Sequence, residues 1–345
     1  MTAPQLIAMA QDCGFELAGI ASAGPVAESN HYMDWAARGL AGEMRYLTDH
    51  RAEMRRDVRL LLPSAKSVLV VGKLYNTAEP YSTAAENTDN GWISRYAWSR
   101  DYHLTMKERL TVLAQRIIAD TPCEYKVCVD TAPLQERALA RHAGIGWLGK
   151  NTCLINQQQG SWFFLGEILL SLELEAAEMP APDRCGTCTR CIEACPTDAI
   201  VPVNGAGPSH EVDSRRCISY FTIELRGTVP EPMREAMGNH IFGCDICQDV
   251  CPWNRKAPVT ADPAFTALNV APSLDQMARM SAQQFRQQFR HTPVERARYR
   301  GFLRNVAIAM GNSGDRKFES ALQSLAMHED EVVREHAQWG LTQLP

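Results

Sequence analysis

Eight of the chain's twelve cysteines fall between residues 185 and 251, in the phrases CGTCTRCIEACP (185–196) and CDICQDVCP (244–252) and at Cys217 between them. No other feature restricts the fold as strongly, because thiols at such spacing must be brought to a common centre. A secreted disulfide framework is usually a small, loop-rich domain, whereas these thiols crowd into one short part of a 345-residue chain. Metal binding is the better reading. Cys185, Cys188, Cys191 and Cys195, followed by Pro196, read C-x2-C-x2-C-x3-C-P. In that bacterial ferredoxin spacing three thiolates wrap one iron–sulfur cluster and the fourth ligates another. Tetrahedral zinc, the rival, generally uses two separated pairs.

The second phrase supplies only Cys244, Cys247 and Cys251 before Pro252, which makes Cys217 the natural donor of the missing ligand. The crossed rule then gives Cys185, Cys188, Cys191 and Cys251 to one 4Fe–4S cluster and Cys195, Cys217, Cys244 and Cys247 to a second. Cys13, Cys123, Cys128 and Cys153 show no ligand spacing and read as ordinary buried thiols.

No apolar run reaches the roughly 20 residues of a membrane span. The N-terminus, MTAPQLIAMAQDCGFELAGI, lacks a basic region before its apolar residues and reads as an amphipathic helix, not a signal peptide. A cytoplasmic chain without membrane contact is the expectation. The runs SVLVVG, KVCVDTAP and SWFFLGEILLSLEL predict strands, and DYHLTMKERLTVLAQRIIADT predicts a helix with Leu104, Leu110, Leu113 and Ile117 on one face. We therefore expect an α/β domain over residues 1–175, a ferredoxin-like double-cluster domain over 176–260, and an all-α, HEAT-like domain over 261–345. Gly144, Gly146 and Gly149 have the bare GxGxxG spacing, but the segment that follows them reads as a strand and not as the helix such a fingerprint opens, and no phosphate loop occurs, so a nucleotide site is not supported.

Net charge is −5 and the pI about 6.0, so the chain as a whole is not a basic nucleic-acid binder. From Arg279 to Arg304, however, seven arginines face the single acid Glu295. Arg296, Arg300 and Arg304 recur every four residues, so a continuous helix would place them on one side, where they could track RNA phosphates. Asp130 follows the apolar strand KVCV, and at that position it suits either a helix-capping role or chemistry at a strand end.

The strings SRYAWSRDYH (94–103), VDTAPLQERALARHAGIGWLGKN (129–151), WFFLGEI (162–168), RRCISYFTIELRG (215–227) and GNHIFGCDICQDVCPWN (238–254) together resemble the epoxyqueuosine reductase family. The likeness runs over nearly the whole chain in matching order. It implies reduction of epoxyqueuosine to queuosine in transfer RNA, using cobalamin reduced through the two clusters, with electrons from an external donor and the enzyme a monomer. It assigns the proton donor to Asp130 through the VD-x-AP string, and cofactor contacts to Arg95, Asp130, Leu154, Leu165 and Ser219. Tyr102, His103, Arg137, His142 and Lys150 are lesser candidates. Cobalamin comes from the resemblance alone: Asp101 and His103 open the D-x-H-x-x-G motif, but Met106 stands where its glycine would be. Two rival readings are a small-molecule cobalamin reductase similar to reductive dehalogenases, and a non-enzymatic iron–sulfur electron carrier.

Overall fold

The structure, a computed structural model, describes residues 1–84, 88–204 and 207–345. Its N-terminal half is built on a four-stranded sheet in the order Leu17–Ser22, Ser67–Leu74, Phe163–Leu170, Tyr125–Cys128, with every neighbouring pair antiparallel. All eight residues of SVLVVGKL are buried. A strand without polar alternation must be covered on both faces, and it is. Leu69, Val71, Phe164, Ile168 and Leu170 pack under the helices Ala3–Asp12 and Tyr102–Asp120, while Val68, Val70, Leu169 and Phe163 pack under the helix Glu136–His142.

The long helix starts where Asp101 accepts the His103 backbone N–H at 3.0 Å, an N-cap that satisfies one otherwise orphaned donor. Leu110, Leu113 and Ile117 are buried as the periodicity predicts, but Leu104 is exposed and Met106 takes the core position instead. The glycine-rich segment after Glu136–His142 serves packing. A Cβ on Gly146 would lie 2.3 Å from the Ile155 carbonyl oxygen, so this turn closes only without a side chain.

The cysteine segment has little regular structure: short helices at Arg190–Glu193 and Ile246–Asp249, and a hairpin of Ile200–Pro202 with His210–Val212. Beyond it the chain is helical, through Leu274–Ala278, Ala282–Gln288, Arg298–Ser313, Glu319–Leu325 and Glu331–Thr342. The core of that region also takes in Trp92, Ile93, Ala97 and Trp98 from far upstream, and Trp92–Ile93 pairs in parallel with His240–Phe242. Residues 92–98 are thus a plug of the first half inserted beneath the last. Among the described residues no helix is long and apolar enough to cross a membrane.

Candidate active site and cluster-binding loops

The cysteine loops are anchored by one turn of the first half. Lys150 Nζ donates to the carbonyls of Gly186 at 2.7 Å and Cys188 at 2.9 Å, and Asn151 Nδ2 donates to the Cys247 carbonyl at 3.2 Å. The backbone N–H of Ala199 points at Cys195 Sγ at 3.3 Å, a donor of the kind that tunes cluster sulfur ligands. Among the described residues no three His, Cys, Asp or Glu side chains are gathered closely enough to hold a single metal ion. The thiols instead fall into two sets by mutual influence. Burial, then the neighbours Cys251, Cys185 and Cys188, push Cys191 up to about 11. Burial, then Cys217 and Cys195, raise Cys244, and burial and Cys195 raise Cys217. An all-thiol donor set in two groups fits a pair of clusters, and iron loading must displace these protons.

Cys153, read as an ordinary core thiol, instead lies close enough to the Cys247 thiol to interact with it and so stands beside the second set. No spacing rule signals it; the tight turn at Thr152, with φ 62°, delivers it there.

Asp130 leaves the strand Tyr125–Cys128 in a left-handed conformation, φ 41°, which turns its carboxyl back toward the start of the long helix. There Oδ2 meets His103 Nε2 at 3.0 Å, while His103 Nδ1 meets Asp101 Oδ1 at 2.7 Å. Burial would lower the His103 pKa, but hydrogen bonds to both carboxylates overcome it and lift it to about 9. Burial would likewise raise Asp130, but the imidazolium, Arg296 and the Tyr102 hydroxyl bring it below the usual carboxylate range. The proton of this pair therefore sits on His103 at neutral pH, and not on Asp130 as a raised carboxyl pKa would require. The Asp130 side chain keeps 42% of its surface open, so it faces solvent and is not a core residue. Tyr102 stacks on Phe164 with centroids 4.1 Å apart and on His103 at 4.2 Å, which fixes the imidazole plane.

Of the other candidates, Leu165 and Ser219 are half-buried and Leu154 is a core residue. Arg95 is 3% exposed, and both terminal guanidinium nitrogens are taken, donating to the carbonyls of Thr77, Glu79 and Pro80 over the Trp98 ring. Arg137 donates to the Thr152 carbonyl, and His142 pairs with Glu28, so both hold local structure. For cobalamin, Asp130, Leu165 and Ser219 offer surface, whereas Arg95 and Leu154 are buried and the Arg95 N–H is taken by Asp245. Both His103 ring nitrogens are occupied by carboxylates, so His103 is not free to ligate a metal.

The arginine stripe needs correction. Arg298 has φ 58° and separates the short turn Pro293–Ala297 from the helix Arg298–Ser313, so Arg296 does not share a helix face with Arg300 and Arg304. Arg296 instead turns toward Asp130, pairing with Glu224 at 2.7 Å over the Tyr46 ring. Arg304 is 0% exposed and donates to the carbonyls of Phe221, Leu225 and Gly227, so it is unavailable to RNA. Arg226, Arg298 and Arg300 do lie close together and near Arg296. Sequence reasoning also passed over two carboxyls behind Asp130, the buried Glu167 and the half-buried Glu136.

Residues 184–254 match the family model described as "4Fe-4S double cluster binding domain", which makes this an iron–sulfur protein with two cluster sites. Residues 55–131, which end just past Asp130, match the model "Epoxyqueuosine reductase QueG, DUF1730". An epoxyqueuosine reductase from Xanthomonas campestris is 42% identical over 99% of this chain and 96% of its own. The chain thus belongs to the epoxyqueuosine reductase family and is an oxidoreductase. A crystal structure of epoxyqueuosine reductase with an epoxyqueuosine-modified tRNA stem loop superposes with a TM-score of 0.88 at 27% identity, over 99% of this chain and 89% of that one. A Bacillus subtilis epoxyqueuosine reductase, with its catalytic aspartate loop swung out of the active site, gives a TM-score of 0.77 at 26% identity over 99% and 98%.

Proposed function

We propose that this chain reduces epoxyqueuosine to queuosine in transfer RNA, with Asp130 and His103 as its acid pair. The observation that carries the reading is the geometry of that pair: a carboxylate at an open strand end, bonded to an imidazolium, in a chain of this family. Conversion of an epoxide to an alkene consumes two electrons and two protons and releases the oxygen as water. When bound, the two clusters and cobalamin supply the electrons, which an external carrier delivers. The chain's part is to hold a proton at the departing oxygen, since an alkoxide or hydroxide leaves poorly. Asp130 orients the His103 N–H and passes its proton to that oxygen. Arg95, Asp130, Leu154, Leu165 and Ser219 are the residues that the family resemblance assigns to the corrin, of which Asp130, Leu165 and Ser219 have exposed surface for it.

The ligand assignment keeps the crossed sets, Cys185, Cys188, Cys191 and Cys251 for one cluster and Cys195, Cys217, Cys244 and Cys247 for the other. Arg300, Arg298 and Arg226 take the phosphates of the stem loop, and Arg296 stands where the modified base enters. The solved complex with an RNA stem loop supports this partner. The enzyme works as a monomer in the cytoplasm, in three parts divided near residues 175 and 260, the last a HEAT-like stack.

The deciding experiment is anaerobic incubation of the cluster-loaded protein with cobalamin, a reductant and epoxyqueuosine-containing RNA, followed by nucleoside mass analysis. Wild type should form the alkene, and Asp130→Asn should lose turnover while keeping cluster and cobalamin spectra. Cys217→Ala should keep about half of the iron, by the ligand count of two clusters. Absence of product from wild type rejects the function, and near-normal turnover of Asp130→Asn removes it from the chemistry.

A further inference from the structure

Behind the Asp130 turn lies a carboxyl pair that the mechanism above does not use. Glu167 belongs to the central strand Phe163–Leu170, paired with Val70 on one side and Cys128 on the other, and is 0% exposed. Neither of its oxygens meets an N–H or hydroxyl donor. The group that bears on it most strongly is the carboxyl of Glu136, in the first turn of the helix Glu136–His142 that covers this face. Two ionised carboxylates side by side under an apolar layer are strongly disfavoured, so one of the two keeps a proton.

Glu136 in turn is an acceptor. Its Oε1 accepts the backbone N–H of Asp130 at 2.5 Å. Asp130 holds a φ of 41°, which a side-chain-bearing residue adopts only where its surroundings over-determine it. The charged and titratable groups facing the pair are Asp130 and Arg137 beside Glu136, Asp130 and Cys128 beside Glu167, and the Tyr102 hydroxyl from the long helix.

We propose that Glu136 is the positioning residue of the Asp130 turn: its carboxylate, fixed from behind by the protonated carboxyl of Glu167, grips the Asp130 N–H and keeps the aspartate turned toward His103. Burial, then the Asp130 charge, raise Glu136 to about 7, and burial with the Glu136 charge put Glu167 higher still. Above neutral pH Glu167 therefore keeps the proton and Glu136 is an anion with one O–H and one N–H donor. Below it Glu136 takes up a proton, becomes a weaker acceptor, and the grip loosens. The catalytic consequence rests on the reading of Asp130 and His103 as the acid pair; the grip itself does not.

The test uses the cluster-loaded protein at a pH about one unit above neutral, where the pair holds a single proton. Infrared spectra should show a protonated-carboxyl stretch that Glu167→Gln removes. Hydrogen exchange of the 129–135 segment should speed up by at least about tenfold in Glu136→Ala and in Glu167→Leu. Glu167→Gln should stay near wild type, because its amide still donates to Glu136. In turnover, Glu136→Ala should lower kcat on the order of 100-fold with KM little changed, as expected for a misplaced acid. Wild-type kcat should rise as pH passes about 7, and Glu136→Gln should lack that rise. A missing carboxyl band, or unchanged exchange in Glu136→Ala, overturns the proposal whatever the activity. An inactive wild type with both signatures intact overturns the functional reading and leaves the grip standing.

Discussion

His103 sits between two carboxylates, and its stability effect has a definite sign. Its pKa rises from 6.5 to about 9 on folding, so the stabilisation it contributes is full below 6.5 and disappears as pH climbs through about 9. Asp101 and Asp130 are both lowered, so their contribution is present above the ordinary carboxylate range and disappears as pH falls. The network is therefore strongest between those limits. Thermal melts of wild type and His103→Gln should differ most near neutral pH and converge above about 9; a constant gap across pH would show that the ring acts by packing alone. Asp130 was legible as a strand-end acid, but its partner was not, because His103 lies on another element and only the fold brings the two to 3.0 Å.

Among the elements, the last helices show how small residues set a packing distance. Arg298–Ser313 and Glu331–Thr342 cross where Gly311 meets Gly340, and a Cβ on Gly311 would lie 2.7 Å from the Gly340 Cα. Gly311→Ala gains intrinsic helix propensity of about 1 kcal/mol, yet backbone cannot yield as a flexible side chain can. Overpacking there costs about 1–3 kcal/mol, and a larger effect than the propensity gain should appear as a lower melting temperature. A raised melting temperature would mean that the two helices separate readily. The same region shows the limit of periodic reading. Arginines four apart suggested one helical face, and the backbone reversal at Arg298 removes Arg296 from it.

At the scale of the whole molecule, the chain's net charge of −5 conceals a local basic surface. Arg226, Arg298 and Arg300 cluster near Arg296, whereas Arg304 ties the helix Arg298–Ser313 to carbonyls within and just after Ile218–Ile223. Arg300→Ala should weaken stem-loop binding uniformly across sequences and lower the salt slope of log affinity by about 1. Arg304→Ala should leave that slope alone and destabilise the fold by at least about 2 kcal/mol, because buried carbonyls lose their donor. Binding isotherms at several salt concentrations, set beside denaturation of the same variants, separate the two roles. An unchanged slope for Arg300→Ala would place the RNA on another face.

The cysteine spacing determined by itself that two clusters bind and proposed a ligand set, because cluster ligation is a local constraint that the chain must write in contiguous residues. The apolar runs determined most of the sheet and its covering helices for a similar reason: burial is imposed residue by residue along each element. Tertiary structure alone decided the Asp130–His103 pairing, the Glu136–Glu167 contact, the Cys153–Cys247 contact and the burial of Arg304. Each is a polar group whose role depends on what lies across an interface, and the free energy of a buried charge or thiol is set by those neighbours, which no spacing along the chain records.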